Sequence, residues 1–441
     1  MNLALAKTDN GTALGEAFAL ARPRLPGTAR VAAIRQQAFE AYEQIGLPHR
    51  RIEDWKYTDL RVLMRAVLPL AAAPDAAAML RATEALQLHA IDGVRKLVLV
   101  DGVFAPKLSD LGKPDAGLSI RVLRDVLEVD QATLHAQLFA LDSSNPMIAL
   151  TSAMMTDGVV VMVADGARIA QPIHVIHIAS GGAPSAMFTR SMLSLGKDAA
   201  ATLVESYICA EGADIYQVHD SLVVHIGDGA RLDHVRLTED SREAFNISSQ
   251  AITLGHKAHF NTFGMNTGTI VSRYQAVIGI NGEHSQVETN GVNLLNGRQH
   301  ADTTLVMNHV APNCASREVF RAVLDDSTRS VFQGRINVHQ PAQKTDAKMM
   351  TRALLLSDEA EAYNKPELEI FADDVQCGHG ATTGALDDSL LFYLRARGMT
   401  EKQAQALLIQ AFVGEAIESI VNDDLRELAI SAAERWLAAR A

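Results

Sequence analysis

Apolar residues along the chain recur first at helical spacing, then at strand spacing, then at helical spacing again. In residues 29–45, Val31, Ile34, Ala38, Tyr42 and Ile45 share one helical face, and Gly46 and Pro48 follow as stop signals. Residues 70–78 are alanine-rich with Pro74 among them and read as a tolerant connection. Residues 97–104 read as strand, Asp-Gly turn and strand, and a mixed, partly helical segment spans 125–141. From Gly158 to about Val375 the pattern is short β-rich runs broken by turn residues.

The turn-like strings at 165–169, 197–201, 228–232 and 256–260 share one layout and return roughly every 28–32 residues. That interval fits the coil of a solenoid, whereas the turns of a β-sandwich recur about every 8–12 residues. The expected class is mostly β with α: a right-handed parallel β-helix core with helical regions on either side. The rival is an antiparallel sandwich of Asp-Gly hairpins. At the C-terminus Gly398 ends one helical run, and Thr400 and Gln403 form a capping box. Ala404, Leu407, Leu408, Ala411 and Phe412 make an apolar stripe that Ile417, Ile420 and Val421 extend, and 423–440 reads as a further helix. The division expected is 1–95 helical, 96–384 β-helix and 385–441 helical.

Composition narrows the function. The 441 residues are 48% hydrophobic and carry a formal charge of −12, which argues against a surface that tracks nucleic-acid phosphates. No apolar run approaches the ~18–20 residues that span a bilayer. The first residues lack the charged-then-apolar layout of a secretory signal. Cys209, Cys314 and Cys377 are widely spaced and form no CxxC pair, a pattern suited to a reducing compartment, so a cytoplasmic location is expected.

Residues 377–384 read Cys-Gly-His-Gly-Ala-Thr-Thr-Gly, where β pattern gives way to helix. A thiolate and an imidazole are good ligands for iron or zinc, and at i and i+2 of a strand Cys377 and His379 face one side. Two ligands do not complete a tetrahedral site, so a metal here needs donors from elsewhere; a structural cysteine beside a loop histidine is the plainer alternative. His300, His309 and Cys314 form a weaker group with no zinc-like spacing. Most other histidines, including His174, His177, His219 and His234, read as polar ladders or surface positions. Phosphate-loop, nucleophile-elbow and H-E-x-x-H signatures are absent. Asp325–Asp326 and Asp373–Asp374 are the acidic pairs that a carbohydrate-active β-helix enzyme would use. Trp55 and Tyr57, among Arg50, Arg51 and Lys56, read as the seam between the N-terminal helices and the core.

Several segments together resemble the SufB/SufD family: 53–58, 98–104, 343–357, 365–370, 374–382 and 392–398. The chain is more similar to the SufD side of that family, being short, poor in cysteine and carrying Gly-Ala-Thr shortly after His379. The resemblance implies a non-enzymatic subunit of the SUF iron–sulfur cluster assembly machinery. It implies pairing with SufB through the β-helices and docking of the SufC ATPase by the C-terminal helices, with Leu407, Leu408 and Phe412 as contact candidates. It places His379 at the SufB–SufD interface as a transient iron or cluster ligand or a proton-handling group, with Cys377 as an auxiliary thiol. No cofactor would be held stably by this chain alone, and without SufB a homodimer is the open alternative. A SufB-like scaffold that carries its own cluster is the rival within the family.

Overall fold

The computed structural model describes residues 9–64, 66–112, 115–142 and 144–440. Its centre is a flattened solenoid of two facing sheets. One runs, in spatial order, from Gln376–Gly384 through Asp346–Leu355, Ala315–Leu324, Gln286–Leu295, His259–Asn266, Arg231–Thr238, Ala200–Cys209 and Ile173–Ala179 to Arg95–Val100 and Val103–Phe104. The other runs from Glu361–Ile370 back to Val159–Val163 and Leu118–Val122. Successive strands alternate between the sheets, so each strand pairs in parallel with the strand one coil away. The sandwich alternative is therefore excluded. Antiparallel pairing is confined to the first coils, where Arg95–Val100 meets Val103–Phe104 and Leu118–Val122 meets Val159–Val163. Asp101 (φ 50°) and Gly102 (φ 76°) make the left-handed two-residue turn of that first hairpin.

Coil length is fixed by a column of left-handed turn residues: Gly166, Asp198, Gly229, Lys257, His284, Asn313 and Lys344, which recur every 27–32 residues. Their amides climb from coil to coil, as in Gly229 N–H to His256 O at 2.7 Å and Asn313 N–H to Gln343 O at 2.9 Å. The inward-facing residues fill the space between the sheets with an apolar column that includes Leu203, Leu232, Phe260, Val287, Ala347 and Met349.

Helices cover both outer faces. Ala29–Ile45 forms as its pattern predicts, with Thr28 capping and Gly46 (φ 70°) at the end. Its buried face is Val31, Arg35, Ala38, Phe39 and Tyr42; Ile34 and Ile45 are only half-buried. Arg35 is tolerated inside because its guanidinium donates to Ala153 O and Pro26 O, both at 3.0 Å. The alanine-rich stretch is not a loose connection. Leu70 and Ala71 are buried, Ala71 N–H donates to Ala186 O, and the helix Ala76–Leu88 then packs Ala78, Ala82 and Ala85 inward. Small side chains let that helix lie close to the sheet. Further along the same ten-stranded sheet, Glu401–Ile417 and Asp423–Ala439 pack on Val235, Phe263, Val292 and Val323. The buried face of the first of these is Ala404, Ile409, Val413, Ala416 and Ile417. The stripe expected from sequence is thus rotated, leaving Leu407 exposed and Leu408 and Phe412 half-buried.

The N-terminal segment is fastened to the nine-stranded sheet by a buried charge cluster. Trp55 lies under the Arg273 guanidinium, 4.0 Å from it, and Arg273 pairs with Asp302 with both side chains essentially inaccessible. Arg273 also donates to Asp54 O at 2.8 Å, while the Thr58 hydroxyl bonds Asp302 and meets His300 Nε2 at 2.9 Å. Nearby, Lys365 pairs with Glu53 at 2.6 Å and Tyr57 packs on Tyr363. Replacing Asp302 by Ala strands a guanidinium in the interior. We expect it to cost about 3–5 kcal/mol, read as a lowered urea midpoint with an unchanged m-value.

Candidate functional site

Cys377 and His379 lie on Gln376–Gly384, the last strand of the ten-stranded sheet. The repeating β-rich runs read to about Val375 continue through one more strand, so the glycines at 378, 380 and 384 are strand residues and the sheet ends at Gly384. A Cβ at Gly380 would stand 2.7 Å from the Met350 methyl, a flexible side-chain end that would have to move aside. The strand pairs only with Asp346–Leu355, in the register Ala347↔Cys377 and Met349↔His379. Its other edge has no strand neighbour among the described residues, and the same holds for Glu361–Ile370 at the end of the nine-stranded sheet. The solenoid therefore ends on two open edges, beside which Ile370 and Phe371 are exposed.

Both side chains contribute to one open depression of about 460 Å³, together with Glu318, Met349, Arg317 and Lys348. Cys377 is half-buried against the apolar column, and His379 is exposed. Burial raises the Cys377 thiol, so it is a poor nucleophile until a metal or a cation displaces its proton. A thiol sulfur and an imidazole nitrogen on one exposed rim can ligate a soft or borderline metal, and the open side admits further donors from another molecule. A separate cavity of about 40 Å³ between the sheets, walled by Phe260, Tyr274 and Phe320, has neither cysteine nor histidine on its lining.

Glu318 was not singled out by sequence. It is fully buried, both carboxylate oxygens lack a hydrogen-bond partner among the described residues, and burial pushes its carboxyl up to about 8. The available signal was its alternation with Ser316 and Phe320, which puts an acid on the inward side of a strand. Register stacks it two strands from His379, with Met349 between.

The other groups are dispersed. His300 meets Thr58, His309 Nε2 meets Ser316 Oγ at 3.0 Å, and Cys314 Sγ donates to backbone carbonyls at 3.3 Å, so these three do not form a site. His174, His177, His219 and His234 are buried, while His256, His259, His284 and His339 are exposed. The acidic pairs are turn residues: Asp325 pairs with Arg440, Asp326 (φ 51°) accepts from Gly297 N–H and Asp374 pairs with Lys344. Asp326 thus stands beside the Gly297 turn and Asp374 beside the Lys344 turn, and both are engaged in turn contacts.

Two family descriptions match this chain: "SUF system FeS cluster assembly, SufBD core domain" over residues 177–412, and "SufBD protein N-terminal region" over 26–175. The chain belongs to the SufBD family. It is 31% identical to the iron–sulfur cluster assembly protein SufD of Escherichia coli, covering 89% of this chain and 90% of that one. It is 30% identical to a SufBD family protein of Synechocystis over 88% and 86% of the two chains, and 26% identical to the chloroplastic protein ABCI7 of Arabidopsis thaliana over 90% and 84%. The two family segments meet between Val175 and His177, inside the strand Ile173–Ala179, so the boundary between them is not a break in the sheet. No helix among the described residues is long and apolar enough to cross a membrane.

The Glu318 carboxyl rises from 4.5 to about 8 on folding, so folding favours its protonated form. Its stability contribution is intact below pH 4.5 and is lost as the pH climbs through about 8. A Glu318→Gln variant stays neutral throughout. Its stability relative to the parent should grow across that window, by on the order of a few kcal/mol, in denaturant titrations at pH 5, 7 and 9.

Proposed function

We propose that this SufBD-family chain acts as a SufD-like, non-catalytic component of iron–sulfur cluster assembly, working in the cytoplasm in a complex with SufB and the ATPase SufC. The observation that carries this is the placement of Cys377 and His379 on a terminal strand with one open edge, beside an open depression. A metal held there would have two protein donors and would take the rest from a neighbour. An open parallel edge is also the surface on which a second solenoid adds its own strand. In this reading SufB occupies that edge, the nascent cluster sits between the chains as cargo, and His379 is a transient ligand or proton carrier for it.

The C-terminal helices supply the second contact. Leu390, Phe392 and Tyr393 on Asp388–Ala396, a helix without a buried residue, and Leu407 on Glu401–Ile417 are exposed. Apolar exposure concentrated in one helical corner fits a docking surface. Leu407, Leu408 and Phe412 would meet SufC there, with Phe412 backed by the Arg321 guanidinium at 4.9 Å and Arg321 held by Glu415.

Changing His379 to Ala should lower cluster yield on the reconstituted three-protein complex by at least about tenfold, with co-purification of SufB and SufC unchanged. Full cluster yield from that variant would remove the site assignment. Placing Asp at both Phe392 and Leu407 should abolish SufC capture while leaving the circular dichroism of the chain as it is. Undiminished capture would remove the docking assignment.

A further inference from the structure

In the early coils of the solenoid the apolar interior gives way to a buried polar cluster that the terminal site does not use. His177, on Ile173–Ala179, and Glu205, on the adjacent strand Ala200–Cys209, face inward from the ten-stranded sheet. Asp220, on Tyr216–Ile226, belongs to the nine-stranded sheet. The potential donor atoms of the three all lie within 4.8 Å of one another, and none of the residues is more than 6% exposed. We infer that His177, Glu205 and Asp220 form a binding site for a divalent transition-metal ion that ties the two sheets together.

Three features support a metal over a closed hydrogen-bond network. First, His177 Nε2 is buried without a hydrogen-bond partner among the described residues, and unlike the other buried imidazole nitrogens left unpaired it stands within reach of two carboxylates. Second, each carboxylate is held by other side chains, and the Tyr207 hydroxyl lies between the two, 2.8 Å from Asp220 and 3.4 Å from Glu205. Glu205 accepts from His234 Nε2 at 2.9 Å and Gln250 Nε2 at 2.6 Å, and Asp220 accepts from Tyr207 Oη at 2.8 Å and from the Thr189 hydroxyl. His177 is itself stacked on the Tyr207 ring at 4.6 Å. Such outer contacts orient ligands around an ion and fix their rotamers.

Third, the two carboxylates lack a contacting guanidinium or ammonium among the described residues. Arg236 is nearby but spends its donors on Thr238, Asn246 and Ser248 and lies over the rings of Tyr207 and Tyr274. Two buried carboxylates with one imidazole make a hard-to-borderline donor set suited to Fe²⁺, Mn²⁺, Co²⁺ or Zn²⁺. Bonds of about 2.0–2.2 Å to an ion put donors roughly 3–4 Å apart, so small side-chain movements close the site. Because the cluster is enclosed, the ion would enter as the coils fold, and its binding energy would add to folding energy.

The test is expression of the full chain in Co²⁺-supplemented minimal medium, followed by dialysis against a chelator. Elemental analysis and visible absorption then report the bound ion. A Cys377→Ser/His379→Ala variant keeps the terminal pair out of the measurement. In that background we expect retained Co²⁺ with ligand-field bands, and a loss of affinity of at least about tenfold on Asp220→Asn or Thr189→Val. Because a core substitution can also impair folding, His177→Cys gives an independent readout: a new thiolate-to-cobalt charge-transfer band, which a merely structural histidine would not produce. A Cys377→Ser/His379→Ala chain that folds yet retains no Co²⁺ overturns the proposal. So does retention unaffected by Asp220→Asn, or a folded His177→Cys variant without the new band. Each of these outcomes is separate from the fate of the His379 assignment.

Discussion

Parallel pairing between coils is the constraint on which the rest of this structure depends. A strand in such a stack can only bond to the strand one full coil away, so every coil must bring the chain back to the same height and the same corner. The column of left-handed turn residues from Gly166 to Lys344 does this, and the inter-coil amide bonds at that corner record it. Register follows: residues one coil apart stack face to face, which lines up Ala347 with Cys377 and Met349 with His379. The same rule leaves the last coil without a neighbour. A solenoid that uses its ends for assembly therefore needs no separate binding domain, because an incomplete sheet is already an attachment surface.

The solenoid also carries charge where a sandwich core would not. Arg273 with Asp302, and the surroundings of Glu205, Asp220 and Arg236, are polar knots inside or against the sheets. Each is tolerated because neighbouring coils supply donors at regular heights: His234 Nδ1 meets Thr262 Oγ1 at 2.8 Å, from strands directly in register. Glu318 is the exception. Both its carboxylate oxygens are unpaired among the described residues, and burial, outweighing the nearby Ser316 and Arg317, pushes its carboxyl up to about 8.

How much of this was legible in the sequence depended on the kind of signal. Where a turn contained Gly or a run of alanine, as at Gly166, Asp198, Gly229 and Lys257, the period was visible. The later turns put His284, Asn313 and Lys344 in the left-handed position with different neighbours, and the repeat faded although the geometry continued. Cys377 and His379 were found because two ligand types stood at strand spacing, yet the glycines around them suggested a loop, and it took pairing with Asp346–Leu355 to make a strand. The helix Glu401–Ile417 is apolar nearly all round, so periodicity did not fix which side meets the sheet; Ile409 and Val413 do, while Leu407 does not. The cluster of His177, Glu205 and Asp220 was invisible because its members come from separate strands and two sheets.

The clasp between the N-terminal segment and the far coils imposes an order on biosynthesis. Trp55 rests on Arg273, and Tyr57 and Glu53 rest on Tyr363 and Lys365. A nascent chain emerging from the ribosome has its clasp residues long before it has their seats. Early coils can stack as they appear, and Trp55 can pack with the N-terminal helices and then meet Arg273 on a middle strand, but Glu53 and Tyr57 have no seat until Glu361–Ile370 is made. The clasp thus closes in two stages, its buried half on the middle strands and its exposed half on the last coil.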